Sequence, residues 1–243
     1  MMHAVLLALA LGQYTPAEAQ ALFVEANDAY YRGDYAAAQA RYEKLLEAGL
    51  GGPDVLFNLG TTHLAAGQLG PATLYLERAR RLSDDDDIDA NLAVARQRQV
   101  DQVVGADTSR PFLERVADVI DERLVSAAFL VTWWLAFFAW LVFRRKVEGR
   151  LWWGLAAGAL TLTGLTLGAG VGVHAYVRHR VVEAVVMPTT AKVLEFPGDA
   201  ARVSFEVHAG LKVRVMETSG KFARIRLPNA LEGWTEKEGL VEL

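Results

Sequence analysis

The sequence contains no cysteine, which excludes a disulfide framework, a thiolate nucleophile and any cysteine-ligated metal. Its five histidines, His3, His63, His174, His179 and His208, are scattered, without the HxxxH or HExxH spacing that brings two imidazoles to one ion. No serine stands in GxSxG or SxxK, and no glycine-rich loop of the phosphate-binding kind is present. Twenty-five Lys and Arg against 29 Asp and Glu leave a net charge of −4, with no basic stripe interleaved with aromatics, so nucleic acid is not an expected partner. These absences leave no support for an enzyme, a cofactor or a metal site.

What the chain has is apolar sequence, 52% of its 243 residues, and that sequence is concentrated. Residues 124–143 and 151–173 are uncharged runs of 20 and 23 residues, each long enough to cross a hydrocarbon core of about 30 Å at 1.5 Å per residue. Membrane helices are expected over 124–143 and 151–176. The connector 144–150 (RRKVEGR) is too short for anything but an antiparallel hairpin, and its basic residues predict a cytoplasmic position. Both ends of a two-pass inner-membrane protein would then lie in the periplasm. Residues 1–12 hold an apolar run ending Ala10-Leu11-Gly12, read as a short or truncated signal peptide, the alternative being an apolar cap on the first helix. Export of residues 17–99 ahead of the hairpin requires such a signal. Gly164, Gly168 and Gly172 form a flat stripe on the second membrane helix, open either to the first helix or to a partner's helix. Trp133 and Trp134 fall near mid-membrane, where packing on a neighbouring helix is expected, the alternative being a lipid-facing ring.

Residues 17–99 repeat. Ala26, Gly33, Tyr35, Ala38, Tyr42 and Leu45 recur 34 residues later as Gly60, Gly67, Leu69, Ala72, Leu76 and Ala79, a period that marks a helix-turn-helix solenoid. Small residues where paired helices meet let the axes approach, and a Gly at each turn suits a left-handed helix terminus. The two copies resemble the tetratricopeptide repeat (TPR). A third begins at Asp87, Ala90, Asn91 and Leu92 and is expected to serve as a capping helix. The resemblance implies a concave groove lined by Phe23, Asn27, Tyr30 and Tyr31, then Phe57, Thr61 and Leu64, then Asn91. Aromatics beside amides there would suit an extended peptide, although Phe23 and Phe57 read equally well as core shared between repeats. Asp84 to Asp87 are expected to cap and charge the N-terminus of the next helix rather than bind a cation.

Residues 100–123 read as a linker and an amphipathic stretch. From residue 181 the period changes to two, with turns at Pro197-Gly198, Ala209-Gly210, Ser219-Gly220 and Pro228-Asn229. Five or so short strands predict a small barrel, and the segment from Gly210 through Glu232-Gly233-Trp234 to a closing strand at Leu240 resembles the bacterial SH3-like domain over 181–243.

The expected fold is thus a multidomain membrane protein: an all-α TPR solenoid, a transmembrane α-hairpin and a small all-β SH3-like barrel. The order of parts, with the phrase DIDANLAVAR at 87–96, resembles the BatE type of protein from Bacteroides aerotolerance operons. That resemblance implies a periplasmic scaffold binding protein partners, among them membrane-anchored von Willebrand A-domain proteins and a MoxR-type ATPase. The alternative is a cell-wall protein that binds peptidoglycan, or activates a wall enzyme, through the SH3-like domain.

Overall fold

The structure, a computed structural model, describes residues 14–101, 116–117, 119–145 and 148–243. The expected signal peptide and most of the expected linker and amphipathic stretch lie outside the described residues.

Five helices come first: α1 (Pro16–Tyr31), α2 (Tyr35–Glu47), α3 (Pro53–Ala65), α4 (Leu69–Arg80) and α5 (Asp86–Arg98). Local chemistry sets their limits. Thr15 and Glu18 form a reciprocal capping box at the start of α1 with Pro16 in the first turn. Asp34 caps α2 by accepting from the Ala37 N–H, and Asp85 caps α5 by accepting from the Asp87 N–H. Gly33 and Gly67 take φ of +78° and +76° where α1 and α3 end, the left-handed conformation that glycine adopts without penalty.

The small residues of the repeat stand at helix crossings. Ala26 and Ala38 are fully buried beside Tyr42, Leu45 and Leu59. In the second copy a side chain at Gly60 would lie 2.7 Å from Leu76 Cγ and 2.9 Å from the Leu76 backbone nitrogen. The tight contact therefore falls on Leu76, one turn beyond Ala72. A second cluster of Leu56, Ala72, Leu76, Ile88 and Leu92 continues the first, and Leu46 and Tyr75 pack against both.

Strands β1 (Val182–Val186), β2 (Thr190–Leu194), β3 (Val203–His208), β4 (Lys212–Ser219), β5 (Phe222–Arg226), β6 (Glu232–Glu236) and β7 (Leu240–Glu242) form one antiparallel sheet in the order β3-β2-β6-β5-β4-β1-β7. Its hydrogen-bonded ladder is open, with β3 and β7 as edges. Inward-facing Val186, Val193, Val207, Val213 and Ile225 fill its core. Gly233 lets β6 lie close beside β2, since a Cβ there would run into Val193 Cγ1 and stand 3.0 Å from the Leu194 carbonyl.

The helices and the sheet, though separated in sequence by the apolar hairpin, form a single compact unit. Backbone meets backbone at their junction: a Cβ on Gly70 would stand 3.0 Å from the Met187 carbonyl, and one on Gly210 would stand 3.0 Å from the Leu69 carbonyl. Gln99 donates to the Gly210 carbonyl. Arg78 and Arg81 each donate at 2.9 Å to main-chain oxygens of Glu242 and Leu243. Asp101 receives the His208 backbone N–H at 2.6 Å and lies 2.8 Å from His208 Nδ1.

Inside this junction the Glu77 carboxylate, 3% exposed, lies 2.8 Å from Arg80, 3.4 Å from Lys212 of β4 and 3.5 Å from Arg96 of α5. Burial pushes its pKa up, but Lys212, Arg80 and Arg96 together outweigh that and hold it below its ordinary value.

The second compact unit contains α6 (Glu122–Arg145) and α7 (Arg150–Arg180), both long and apolar enough to cross a membrane. Contacts of Phe143 with Gly154, Trp133 with Gly164 and Phe129 with Gly168 run in opposite chain directions, so the helices are antiparallel. Gly149, at φ +70°, leads into α7. Most of their apolar surface is uncovered, Trp134, Leu151 and Trp152 among it, unlike the core helix of a water-soluble domain.

A Glu77→Gln substitution should lower stability at neutral pH by about 2 kcal/mol, less than for a fully buried pair because the three cations are partly solvated. The depressed pKa sets the sign: the stabilisation is complete above the ordinary carboxylate value of 4.5 and is lost as pH falls through the lower folded value. Urea unfolding in mild detergent at pH 7 and at acid pH should therefore show the gap between wild type and variant closing with acidification.

Candidate functional site

Two hydrogen bonds define one face of the helical layer. Asn58 Nδ2 of α3 donates to Asn27 Oδ1 of α1 at 3.2 Å, and Asn91 Nδ2 of α5 donates to Thr61 Oγ1 of α3 at 2.8 Å. Helices α1, α3 and α5 therefore lie side by side in that order, and their polar residues Asn27, Asn58, Thr61 and Asn91 form a half-buried row. The sheet packs on α4, whose Gly70 and Glu77 meet β1 and β4.

Within the row, valences are filled unevenly. Asn27 Oδ1 also accepts the Tyr42 hydroxyl at 2.5 Å. Burial pushes that hydroxyl up to about 12, so it remains a protonated donor. Asn27 Nδ2, Asn58 Oδ1 and Asn91 Oδ1 have no partner among the described residues. One amide donor and two amide acceptors thus stand unspent along the row, the complement of an extended backbone.

The structure brings together the sequence-derived Asn27, Thr61 and Asn91, and separates their neighbours into different roles. Tyr31 is 83% exposed and its ring meets Tyr30 edge-on at 5.7 Å. Phe23 and Tyr30 are half-buried against the first core cluster, Phe23 edge-on to Tyr42 at 6.0 Å. Phe57 packs against the second cluster. Leu64, only 5% exposed, belongs to the core cluster built by α3, α4 and α5, so its side chain has almost no free apolar surface for a partner. Sequence reasoning missed Asn58 and Tyr42. An amide within the apolar run Leu56-Phe57-Asn58-Leu59 was the available signal.

The glycine stripe divides similarly. A Cβ at Gly164 would meet Trp133 at 3.2 Å and one at Gly168 would meet Phe129 at 3.1 Å, whereas Gly172 has nothing within 4 Å. Gly164 and Gly168 therefore seat aromatic rings of α6, and Gly172 takes no part in that packing. Trp133 packs on α7 as expected; Trp134, 69% exposed, does not bury itself.

His63 is buried, stacked on Tyr75 with centroids 5.5 Å apart, and its Nδ1 lies 2.5 Å from Gln68 Oε1. Burial lowers its pKa despite the Gln68 hydrogen bond, consistent with a neutral core imidazole. Among the described residues no group of three or more His, Asp or Glu could hold a metal. A concavity of about 910 Å³ lies on the sheet, where Pro188, Leu194, Val203 and Phe222 meet Asp199 and Glu238.

Tyr42→Phe should cost about 1 kcal/mol of stability, since Asn27 keeps its second donor in Asn58; urea unfolding monitored by circular dichroism measures it. A loss above about 3 kcal/mol would show that the hydroxyl supports more than this one acceptor. Compared with known proteins, the chain matches no family model and no curated protein.

Proposed function

We propose that the protein is a membrane-anchored, non-enzymatic adaptor that holds an extended segment of a partner protein against α1, α3 and α5. The observation that carries this reading is the row of Asn27, Asn58, Thr61 and Asn91, with its unspent amide donor and acceptors beside exposed Tyr31. Such a row costs little to desolvate when a peptide backbone replaces water, and Tyr31 offers the aromatic area that anchors interfaces.

The helical layer is a TPR-like array in this reading, the sheet an SH3-like module, and α6 with α7 a two-pass anchor. The compact unit is assembled from segments before and after the hairpin, which requires both segments on one face of a membrane if α6 and α7 cross it. Arg144, Arg145 and Arg150 at the hairpin turn favour a cytoplasmic turn and a periplasmic compact unit. Partners fitting the sequence resemblance are membrane-anchored von Willebrand A-domain proteins and a MoxR-type ATPase, in a Bat-type envelope complex. The second reading, binding of peptidoglycan through the sheet, draws on the open cleft beside Asp199 and Glu238.

Asn27→Ala combined with Asn58→Ala should weaken capture of the partner in membrane pull-downs by roughly thirty-fold, two lost peptide hydrogen bonds at about 1 kcal/mol each. Undiminished capture, with the full chain instead pelleting on purified sacculi, would favour the wall-binding reading. In reporter fusions, Val147 should report the cytoplasm and a fusion after Leu243 the periplasm; a cytoplasmic signal at Leu243 sinks the orientation.

A further inference from the structure

Along the seam between α6 and α7 the helices pack at Gly154, around the buried Ala136 and Ala139, and from Gly164 onward, and a groove opens beside the seam between Gly154 and Gly164. A Cβ on Gly154 would meet Phe143 at 3.2 Å and one on Gly164 would meet Trp133 at 3.2 Å, while Gly158 faces open space. This groove measures about 510 Å³ and is lined by Trp133, Phe137, Trp140 and Phe143 on one side and by Ala157 and Gly158 on the other. From Phe143 to Trp133 it runs ten residues of helix, about 15 Å, from the hairpin turn inward. The Thr161 hydroxyl on its wall is satisfied by the Ala157 carbonyl at 2.7 Å, so this hydroxyl asks nothing of an occupant.

Its outer end is different. The Arg144 guanidinium lies 5.2 Å over the ring of Trp140, and Arg150 lies 4.6 Å over Phe143; both rings are walls of the groove. Neither arginine has a carboxylate partner among the described residues. A guanidinium stacked by its face on a ring keeps its N–H edges free for bidentate bonding to a phosphate. An apolar channel ending at the turn beneath two guanidiniums without a carboxylate partner among the described residues matches one kind of molecule, with an alkyl chain at one end and a phosphate monoanion that carries no compensating cation at the other.

We propose that this groove binds an anionic glycerophospholipid, an acyl chain lying between α6 and α7 and the headgroup phosphate bonded by Arg144 and Arg150. The inference rests on the reading of α6 and α7 as membrane-spanning. A second copy's helix would need small residues or polar partners along the notch and would leave both arginines unsatisfied, whereas the lipid fills the channel and pairs the charge at once.

The test uses the full chain in mild detergent, with native mass spectrometry after addition of phosphatidylglycerol or phosphatidylcholine of identical acyl chains. The wild type should retain phosphatidylglycerol with roughly ten-fold preference or more. The double variant Arg144→Gln/Arg150→Gln should retain both lipids equally. Gly158→Leu, whose Cβ has open space and whose side chain projects into the groove, should reduce retention of both, while Gly172→Leu, also at an open position but outside the groove, should change neither. Helical content by circular dichroism identifies any variant whose hairpin fails to form, and the remaining variant then decides. No preference in the wild type, or a preference that survives the arginine and Gly158 variants, overturns the site. So does a lipid-free dimer that Gly158→Leu dissociates, which would make a second copy the occupant, and so does full displacement of the lipid by equimolar inorganic phosphate. Vesicle flotation separates the two readings: a chain that does not float with vesicles defeats the membrane assignment itself, whereas one that floats without lipid preference defeats only this site.

Discussion

The buried Glu77 carboxylate is the electrostatic centre on which the union of helices and sheet depends. It sits on α4, takes cations from its own helix, from α5 and from β4, and would be a costly uncompensated charge if any of these elements withdrew. The cations in turn are shared: Lys212 also reaches Glu183 of β1 at 3.3 Å, and Glu183 pairs with Arg81 at 3.1 Å. A chain of alternating charge thus runs across the junction. Such a network can form only because Gly70 and Gly210 let the two backbones come within van der Waals contact. Steric permission and electrostatic demand act at the same place.

That junction shapes what the helical layer can do. With α4 turned toward the sheet, the face made by α1, α3 and α5 keeps its polar row half-exposed, and the hydrogen bonds Asn58 to Asn27 and Asn91 to Thr61 hold the amides in fixed orientation. Preorganised amides lose little entropy when they bind, which is why a row so short can support a binding reading. The aromatic residues are less uniform. Phe23, Tyr30 and Phe57 contribute to packing, and only Tyr31 is largely free.

In the two long helices, glycine has two uses. At Gly164 and Gly168 it admits Trp133 and Phe129 and brings the helices together; at Gly158 the lack of a side chain leaves a groove. The same residue type therefore makes contact or space depending on what stands opposite, and a stripe read from spacing cannot distinguish the two. Gly172, grouped with Gly164 and Gly168 by its period of four, has no ring opposite it.

By itself the sequence determined the local features: helices punctuated by Gly33 and Gly67, a cap among Asp84 to Asp87, two uncharged runs long enough to span a membrane, and strands with turns at Gly210 and Gly220. Each follows from period, capping chemistry or backbone freedom, and these act over a few residues. Amides at Asn27 and Asn91 were legible only through the resemblance to the tetratricopeptide repeat, which implies that they line its groove. Only the tertiary structure decided that Asn58 joins them, that Leu64 is core, and that residues 182–243 pack on α4 rather than forming a detached module. The reason is range. Glu77 meets Lys212 across 135 positions and Gln99 meets Gly210 across 111, and no pattern within either segment encodes which distant carboxylate or carbonyl its side chains will find.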